Sequence, residues 1–361
     1  MVGSQRSHDI DLHPRIPAGV IRRSHGRRVL TLGAAGLGAA ALAFVVVAGI
    51  RALLLADSKP PPAQTPAPAE QGTPSSFVGL KDGELVLAST KSGEVLRVIA
   101  DRSVVGTNDP GGDPEPAVRP ALTPDRSTVY FSTFQIRPSG EDRRLARVPL
   151  EGGEPEDLGM GFAPKVSPDG DRLAYRGACT EIGCGEALEI LDFRTEEKTT
   201  VPSGSGDLTV GVTVWLPDGR LVVELVPTPM NSGDYEYRVI DPARPPDALI
   251  DAPSVPGPTN KNTQRSGLRG YHAPTGGVVV GQQRVERVGD VLLPEGPHGY
   301  VSVDPDTGEV LTTVDWNAWE EVHPDASGRH LLLLDNRGRV HISRDDGEPR
   351  LIAHGFSNIA W

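Results

Sequence analysis

The sequence predicts an all-β fold: a β-propeller of six blades, with seven as the alternative count, behind one transmembrane helix and a proline-rich linker. Three observations predict it. An apolar stretch ending in Pro-Asp and followed by a β-rich run returns five times at a spacing near fifty residues. Glycine and proline make up 42 and 34 of the 361 residues, far above the roughly 12% of an average chain, which excludes a long helical bundle or coiled coil. A charge-free apolar run near the N-terminus is followed by a tract dense in proline.

The N-terminal elements come first. Residues 1–28 carry six arginines against Asp9 and Asp11 and form a basic cytoplasmic tail. Residues 29–50 hold no charge; as a helix these 22 residues reach about 33 Å, enough for a hydrocarbon core of about 30 Å. With the leucines that follow Arg51, the span 29–55 is a single-pass signal anchor, and the arginine-rich side stays in the cytoplasm. The alternative is a cleaved export signal, because Arg27-Arg28-Val29-Leu30 resembles part of a twin-arginine motif. Against cleavage, Leu54-Leu55-Ala56 has leucine where a small residue is needed. Both readings put the rest of the chain outside. Residues 56–76 are a linker with six prolines, a semi-rigid spacer that is neither helix nor strand. Residues 77–361 are the propeller.

The repeats then run in order. Residues 77–100 supply three strand-like runs with no Pro-Asp copy before them. Leu122-Thr123-Pro124-Asp125 leads into a run at 128–131, and Val166-Ser167-Pro168-Asp169-Gly170 into one at 172–175. Trp215-Leu216-Pro217-Asp218-Gly219 precedes 220–223. A weaker copy, Ala273-Pro274-Thr275-Gly276-Gly277, precedes 278–280. Val322-His323-Pro324-Asp325 precedes 330–334. The prolines stand 44, 49, 57 and 50 residues apart, the period of a four-stranded blade. Proline presets φ, aspartate caps its own turn and glycine takes positive φ, so the flanking strands pair as a hairpin. Residues 356–361 read as the strand that precedes Pro-Asp, and are expected to complete the first blade and remove open sheet edges. The six expected blades are 77–100 with 356–361, 118–159, 161–204, 208–253, 266–314 and 318–354.

The run Ser167-Pro168-Asp169-Gly170-Asp171-Arg172-Leu173-Ala174-Tyr175 resembles the signature repeat of TolB-type propellers, distant relatives of WD-repeat propellers. The resemblance spans about residues 77–361 and implies the fold. It implies little about function, because such propellers serve as scaffolds, receptors and enzyme accessory domains. TolB itself has a further N-terminal domain where this chain has an anchor and stalk, so its role in an outer-membrane system is not carried over. With 30 arginines against six lysines, the composition is that of a high-GC bacterium. The layout resembles that of membrane-anchored actinobacterial propellers.

Candidate site residues are few. Cys179 and Cys184 lie between two expected strands; in an oxidising exterior a disulfide closing that loop is the leading reading, with free thiols or a redox or metal pair as alternatives. Pro124, Asp125, Pro168, Asp169, Gly170, Pro217, Asp218, Gly219, Pro324 and Asp325 are read as turn residues, since repetition explains every copy without catalysis. Trp215, Trp316, Trp319 and Trp361 are read as packing between blades, with an aromatic ligand site as the alternative. Polar segments at 107–115, 227–234, 254–269 and 282–298 interrupt the repeat as loops. The third is basic within an acidic domain, so Lys261, Arg265 and Arg269 form a candidate binding loop, against a solvated loop as the alternative. No nucleophile elbow and no His-Glu-x-x-His spacing occurs, so no catalytic residue, cofactor or metal is assigned.

The net charge of −12 argues against nucleic acid. The expected function is non-catalytic: an extracytoplasmic binding or scaffold propeller tethered to the cell membrane. Its expected partner is a protein, peptide or envelope polymer, and the oligomeric state is open. The alternatives are a propeller enzyme of lyase, cyclase or quinoprotein type, and a sensor signalling through the cytoplasmic tail. The enzyme reading requires carboxylates and a histidine to converge in a pocket.

Overall fold

The computed structural model describes residues 73–106, 118–137, 140–178, 186–228, 235–256, 263–288, 291–316, 318–325, 329–344 and 347–361. The tail, the apolar span and nearly all of the linker lie outside these residues, as do Cys179, Cys184 and Lys261. Among the described residues no helix is long and apolar enough to cross a membrane.

The described chain forms six antiparallel sheets. Blade 1 starts with β1 (Ser76–Lys81), β2 (Glu84–Ser89) and β3 (Val95–Ala100). A single helical turn, α1 (Arg102–Val105), leads onward; the Asp101 carboxylate caps it by accepting from the Ser103 and Val104 amides. Blade 2 is β4 (Pro120–Leu122), β5 (Thr128–Arg137), β6 (Gly140–Pro149) and β7 (Glu156–Met160). Blade 3 is β8 (Phe162–Val166), β9 (Arg172–Ala178), β10 (Glu186–Asp192) and β11 (Lys198–Pro202). Blade 4 is β12 (Leu208–Trp215), β13 (Leu221–Pro227) and β14 (Glu236–Ile240). Blade 5 is β15 (Thr263–His272), β16 (Gly277–Val288), β17 (Val291–Val303) and β18 (Val310–Val314). Blade 6 is β19 (Trp319–Pro324), β20 (His330–Asp335), β21 (Arg339–Arg344) and β22 (Arg350–His354). The last strand, β23 (Phe356–Ala360), returns to blade 1 in the order β23-β1-β2-β3. Val78 lies opposite Ala360 and Gly79 opposite Ile359. The first blade is therefore built from both ends of the domain, and the fold is a closed six-bladed propeller.

Each Pro-Asp copy sits where the repeat requires. The strands flanking it pair directly: Leu122 with Val129, Val166 with Leu173, Trp215 with Leu221, His272 with Gly277, and Pro324 with Leu331. Gly170 and Gly219 take φ of +78° and +83°. In blade 2 the corresponding residue is Arg126, also left-handed at φ +61°. Its guanidinium reaches blade 1, donating to the Ser76 carbonyl at 2.8 Å.

The core is a ring of six apolar clusters, one at each junction between blades. Between blades 1 and 2, Val78 and Leu85 meet Val129 and Phe131. Between 2 and 3, Tyr130 and Leu145 meet Leu173 and Tyr175. Leu188 and Val201 meet Val210 and Leu221 between 3 and 4. Val222 and Tyr237 meet Leu268 and Val278 between 4 and 5. Val279 and Trp316 meet Val322 and Leu331 between 5 and 6. At the seam, Leu332 and Ile342 of blade 6 meet Phe77, Phe356 and Ile359. Strands buried on both sides read as unbroken apolar runs, as in Leu331–Leu334 of His330–Asp335, where every residue is buried.

Three details differ from the sequence expectation. Blade 4 has three strands in its sheet; the segment that would be its fourth makes an isolated bridge of Ser254 with Arg238. Pro253 and Pro256 flank it and lack the amide donors of a longer ladder. The expected loop 282–298 is instead most of a long hairpin, with Arg284 opposite Glu295 and Val288 opposite Val291. The expected basic loop 254–269 ends early, because Thr263–His272 is the inner strand of blade 5. Both segments are too polar for a reading based on burial, whereas a backbone ladder needs no apolar side chain.

Candidate functional site

Strands alternate in direction within a blade, so the Pro-Asp turns and the turns between third and fourth strands share one face. The turn carboxylates are held by local hydrogen bonds. Asp125 accepts from the Ser127 amide at 3.0 Å, Asp169 from the Asp171 amide at 3.0 Å, and Asp218 from the Arg220 amide at 3.1 Å. Asp325, on the buried side of its turn, accepts from the Arg329 amide at 3.1 Å and lies 2.8 Å from His330 Nδ1.

On this face a cleft of about 630 Å³ opens between blades 2 and 3. Asp125, Glu156, Asp169, Asp171, Asp192 and Glu196 line it, with Arg147 as its one lining cation. Its apolar lining is Leu158, Leu191 and the stacked rings of Tyr130 and Phe193, whose centroids are 5.3 Å apart at 10°. The Glu156 carboxylate neutralises Arg147 at 2.8 Å. The Thr123 and Ser127 hydroxyls and the Ser127 amide hold Asp125 below the usual carboxylate range. For Asp169 burial acts in the opposite sense, but the Ser167 hydroxyl and Asp171 amide prevail and its pKa is also lowered. Asp192 is lowered chiefly by the Thr195 amide. These groups are anionic at neutral pH, beside the partly exposed Phe193 ring, behind which Tyr130 is buried. Burial raises the Tyr130 phenol, which stays neutral.

The junction between blades 4 and 5 explains why this cleft is open. There Arg220, three residues after Pro217, makes a bidentate pair with Asp306 at 2.5 and 3.1 Å and also binds Asp218 at 2.7 Å. Asp306 sits two residues after Asp304, in a turn closed by the bond from the Asp304 amide to Glu309. Blade 3 has the same turn, closed from the Asp192 amide to Glu197. At the junction of blades 2 and 3 the equivalents of Arg220 and Asp306 are Ser127 and Arg194. Arg194 turns to Asp171 at 2.5 Å. Serine is too short to cross the junction, and Phe193 takes the place of Pro305.

The inner strands carry a second group of charges. Lys165 of β8 stands three residues before Pro168, and Glu321 of β19 three before Pro324. Blades 3 and 6 face each other across the central channel. Burial, and then the charge of Arg119, push the Lys165 amine down to about 8, while Glu321 acts in the opposite sense. Glu321 accepts from the Ile359 amide at 3.1 Å and lies 3.2 Å from His323 Nε2. Burial opposes its ionisation, yet the His323 hydrogen bond keeps it lowered. Burial lowers His323, so its imidazole is neutral at pH 7. Sequence reading missed this group. The signal was the shared position in the repeat, which has meaning only once the ring is closed.

The remaining sequence candidates are placed as follows. Arg269 is not on a loop: it lies on β15, its guanidinium over the Tyr300 ring, donating to the Tyr300 hydroxyl at 2.7 Å and to the Glu320 carbonyl at 2.9 Å. Arg265 is a backbone position of the same strand, and Lys261 lies outside the described residues. Two of the three expected loop residues, Arg265 and Arg269, thus lie on a strand, and Arg269 joins blades 5 and 6. The Trp215 indole donates to the Lys165 carbonyl at 2.9 Å and Trp361 to the His323 carbonyl at 2.6 Å, each tying its inner strand to the preceding blade. Trp316 is buried between blades 5 and 6, with Trp319 packed against the same cluster. Among the described residues no group of three or more His, Cys, Asp or Glu is arranged to hold a metal.

No family model matches the sequence, and no curated protein matches it. Solved structures similar in fold include TolB from Acinetobacter baumannii, with a TM-score of 0.49 and 16% identity over 79% of this chain. The chain spans 65% of the length of that protein. They also include a putative TolB from Agrobacterium tumefaciens, with a TM-score of 0.45 and 18% identity, covering 79% of this chain and 91% of that one. A third is the periplasmic gluconolactonase PpgL of Pseudomonas aeruginosa, with a TM-score of 0.42 and 15% identity, covering 79% and 97%. Identities this low speak to fold alone, and the six-bladed assignment rests on the sheet order and closure described above.

Proposed function

We propose that the propeller is a binding module that does no chemistry of its own, tethered to the membrane by residues 29–55 and displayed outside the cell. Its ligand is a segment of a partner protein that combines basic and aromatic or aliphatic side chains. The observation that carries this reading is the cleft between blades 2 and 3, where ionised carboxylates rim a stacked Tyr130–Phe193 pair. Carboxylates select cationic side chains, and the partly exposed Phe193 ring, backed by the buried Tyr130, offers apolar contact and cation–π stabilisation. Ser127, in place of a bridging arginine, leaves room for the segment.

The test is crosslinking capture from cells with a C-terminally tagged chain, beside the Ser127→Arg variant, with membrane and soluble fractions blotted. The reading expects a partner lost in the variant, and full-length chain in the membrane fraction. A partner retained undiminished by Ser127→Arg contradicts the cleft. A shortened soluble product contradicts the tether.

A further inference from the structure

We propose that the central channel holds a second site, independent of the cleft, that binds a small monocarboxylate between Arg119 and Lys165. Arg119 immediately precedes β4, the inner strand of blade 2, and Lys165 lies on β8, the inner strand of blade 3. Each is half-buried. Neither makes an ion pair or a side-chain hydrogen bond among the described residues, and the Arg119 charge adds to the burial that lowers the Lys165 amine. Two half-buried cations at neighbouring inner strands, without a carboxylate bound to either, are costly, and an anion between them relieves that cost. Arginine offers a planar fork suited to a carboxylate, and lysine adds a point charge.

The nearby groups select the charge of the ligand. Glu321 is ionised, and its Oε2 already accepts from the Ile359 amide and lies against His323 Nε2. With Arg119 and Lys165 positive, Glu321 negative and His323 neutral, the cluster carries about one net positive charge. That matches a monoanion, and Glu321 repels the second charge of a phosphate or dicarboxylate. The inner strand between those of blades 6 and 2 is β23. On it Asn358 is fully buried, and neither its Oδ1 nor its Nδ2 has a partner. A buried amide with neither atom partnered has a donor and an acceptor to offer a bound molecule.

The experiment titrates the full-length chain with acetate, succinate and inorganic phosphate, using selective ¹³C-lysine labelling. There are six lysines, and Lys165→Met assigns the signal. We expect acetate to saturate and to raise the Lys165 midpoint by about one unit, as a close opposite charge does. Arg119→Met should weaken acetate at least tenfold, and Glu321→Gln should tighten it several-fold. Succinate and phosphate should bind more weakly than acetate. An unresponsive Lys165 signal, or acetate binding unchanged in Arg119→Met, overturns the site. Tighter binding of phosphate or succinate overturns its assignment to a monocarboxylate. Lys165→Arg keeps the charge and should keep acetate binding; its loss there, in a folded variant, also counts against the site.

Discussion

Lys165 and Glu321 occupy the same position of the repeat on opposite blades and carry opposite charges, and the Glu321 charge offsets part of the lowering of the Lys165 amine. Neither would draw notice alone. Together they mark the channel as a polar interior in a domain whose blade junctions are apolar.

This relationship sets a pH dependence. The folded Lys165 loses its proton near 8, while the unfolded chain holds it to about 10.4. Between these values the unfolded state binds more protons, so stability rises with pH across that window. Urea midpoints from pH 7 to 10 should show the rise in the native chain and its absence in Lys165→Met. Glu321→Gln should move the Lys165 midpoint below 8, since Glu321 supports the charged amine.

Deleting residues 356–361 should destabilise the whole domain. Phe356, Ile359 and the Trp361 indole hold the seam between blades 6 and 1. Phe356→Ala alone should cost about 3–5 kcal/mol. Thermal melting checks both; an unchanged midpoint for the deletion contradicts closure by the last strand.

Glu224 on β13 joins blades 4 and 5. It is buried and accepts from the Val212 amide at 3.1 Å and the Leu268 amide at 2.7 Å. Glu224→Ala leaves buried amides unpaired, at about 1–3 kcal/mol each, and Glu224→Gln should cost much less. Burial raises the Glu224 pKa. Its stabilising contribution is therefore full below the unfolded value and falls as pH rises through the folded one. Denaturant unfolding of the native chain and Glu224→Gln at pH 4 to 7 should show this loss only in the native chain.

Gly308, at φ +71°, closes the Asp304 turn, and a Cβ there would stand 1.8 Å from the Pro256 carbonyl oxygen. Gly308→Ala should lower the melting temperature clearly, whereas Gly219→Ala, with open space around it, should show only the smaller cost of its positive φ.

The repeat was legible in the sequence because Pro-Asp turns use local chemistry: Pro168, Asp169 and Gly170 each have a backbone reason to stand where they do. Closure was legible because residues 356–361 look like a strand whose blade is missing. The inner strand of blade 5 was not legible. Arg265 and Arg269 read as a basic loop, because a ladder imposes no composition on a strand whose side chains can bond to the next blade, as Arg269 does with the Glu320 carbonyl. The cleft was hidden for another reason. It arises from Ser127 and Arg194 standing where blades 4 and 5 have Arg220 and Asp306, a difference visible only when repeats are compared in register. The channel group combines residues more than 150 positions apart.

The most direct measurement is calorimetric titration of the full-length chain and its Ser127→Arg variant with a short peptide containing Arg-Phe-Arg, beside an acidic control peptide. We expect saturable binding by the native chain, weakened by salt, at least tenfold weaker in Ser127→Arg and absent for the acidic peptide. Equal affinity in the two proteins, or a preference for the acidic peptide, would contradict the assignment of the cleft between blades 2 and 3 as the binding site.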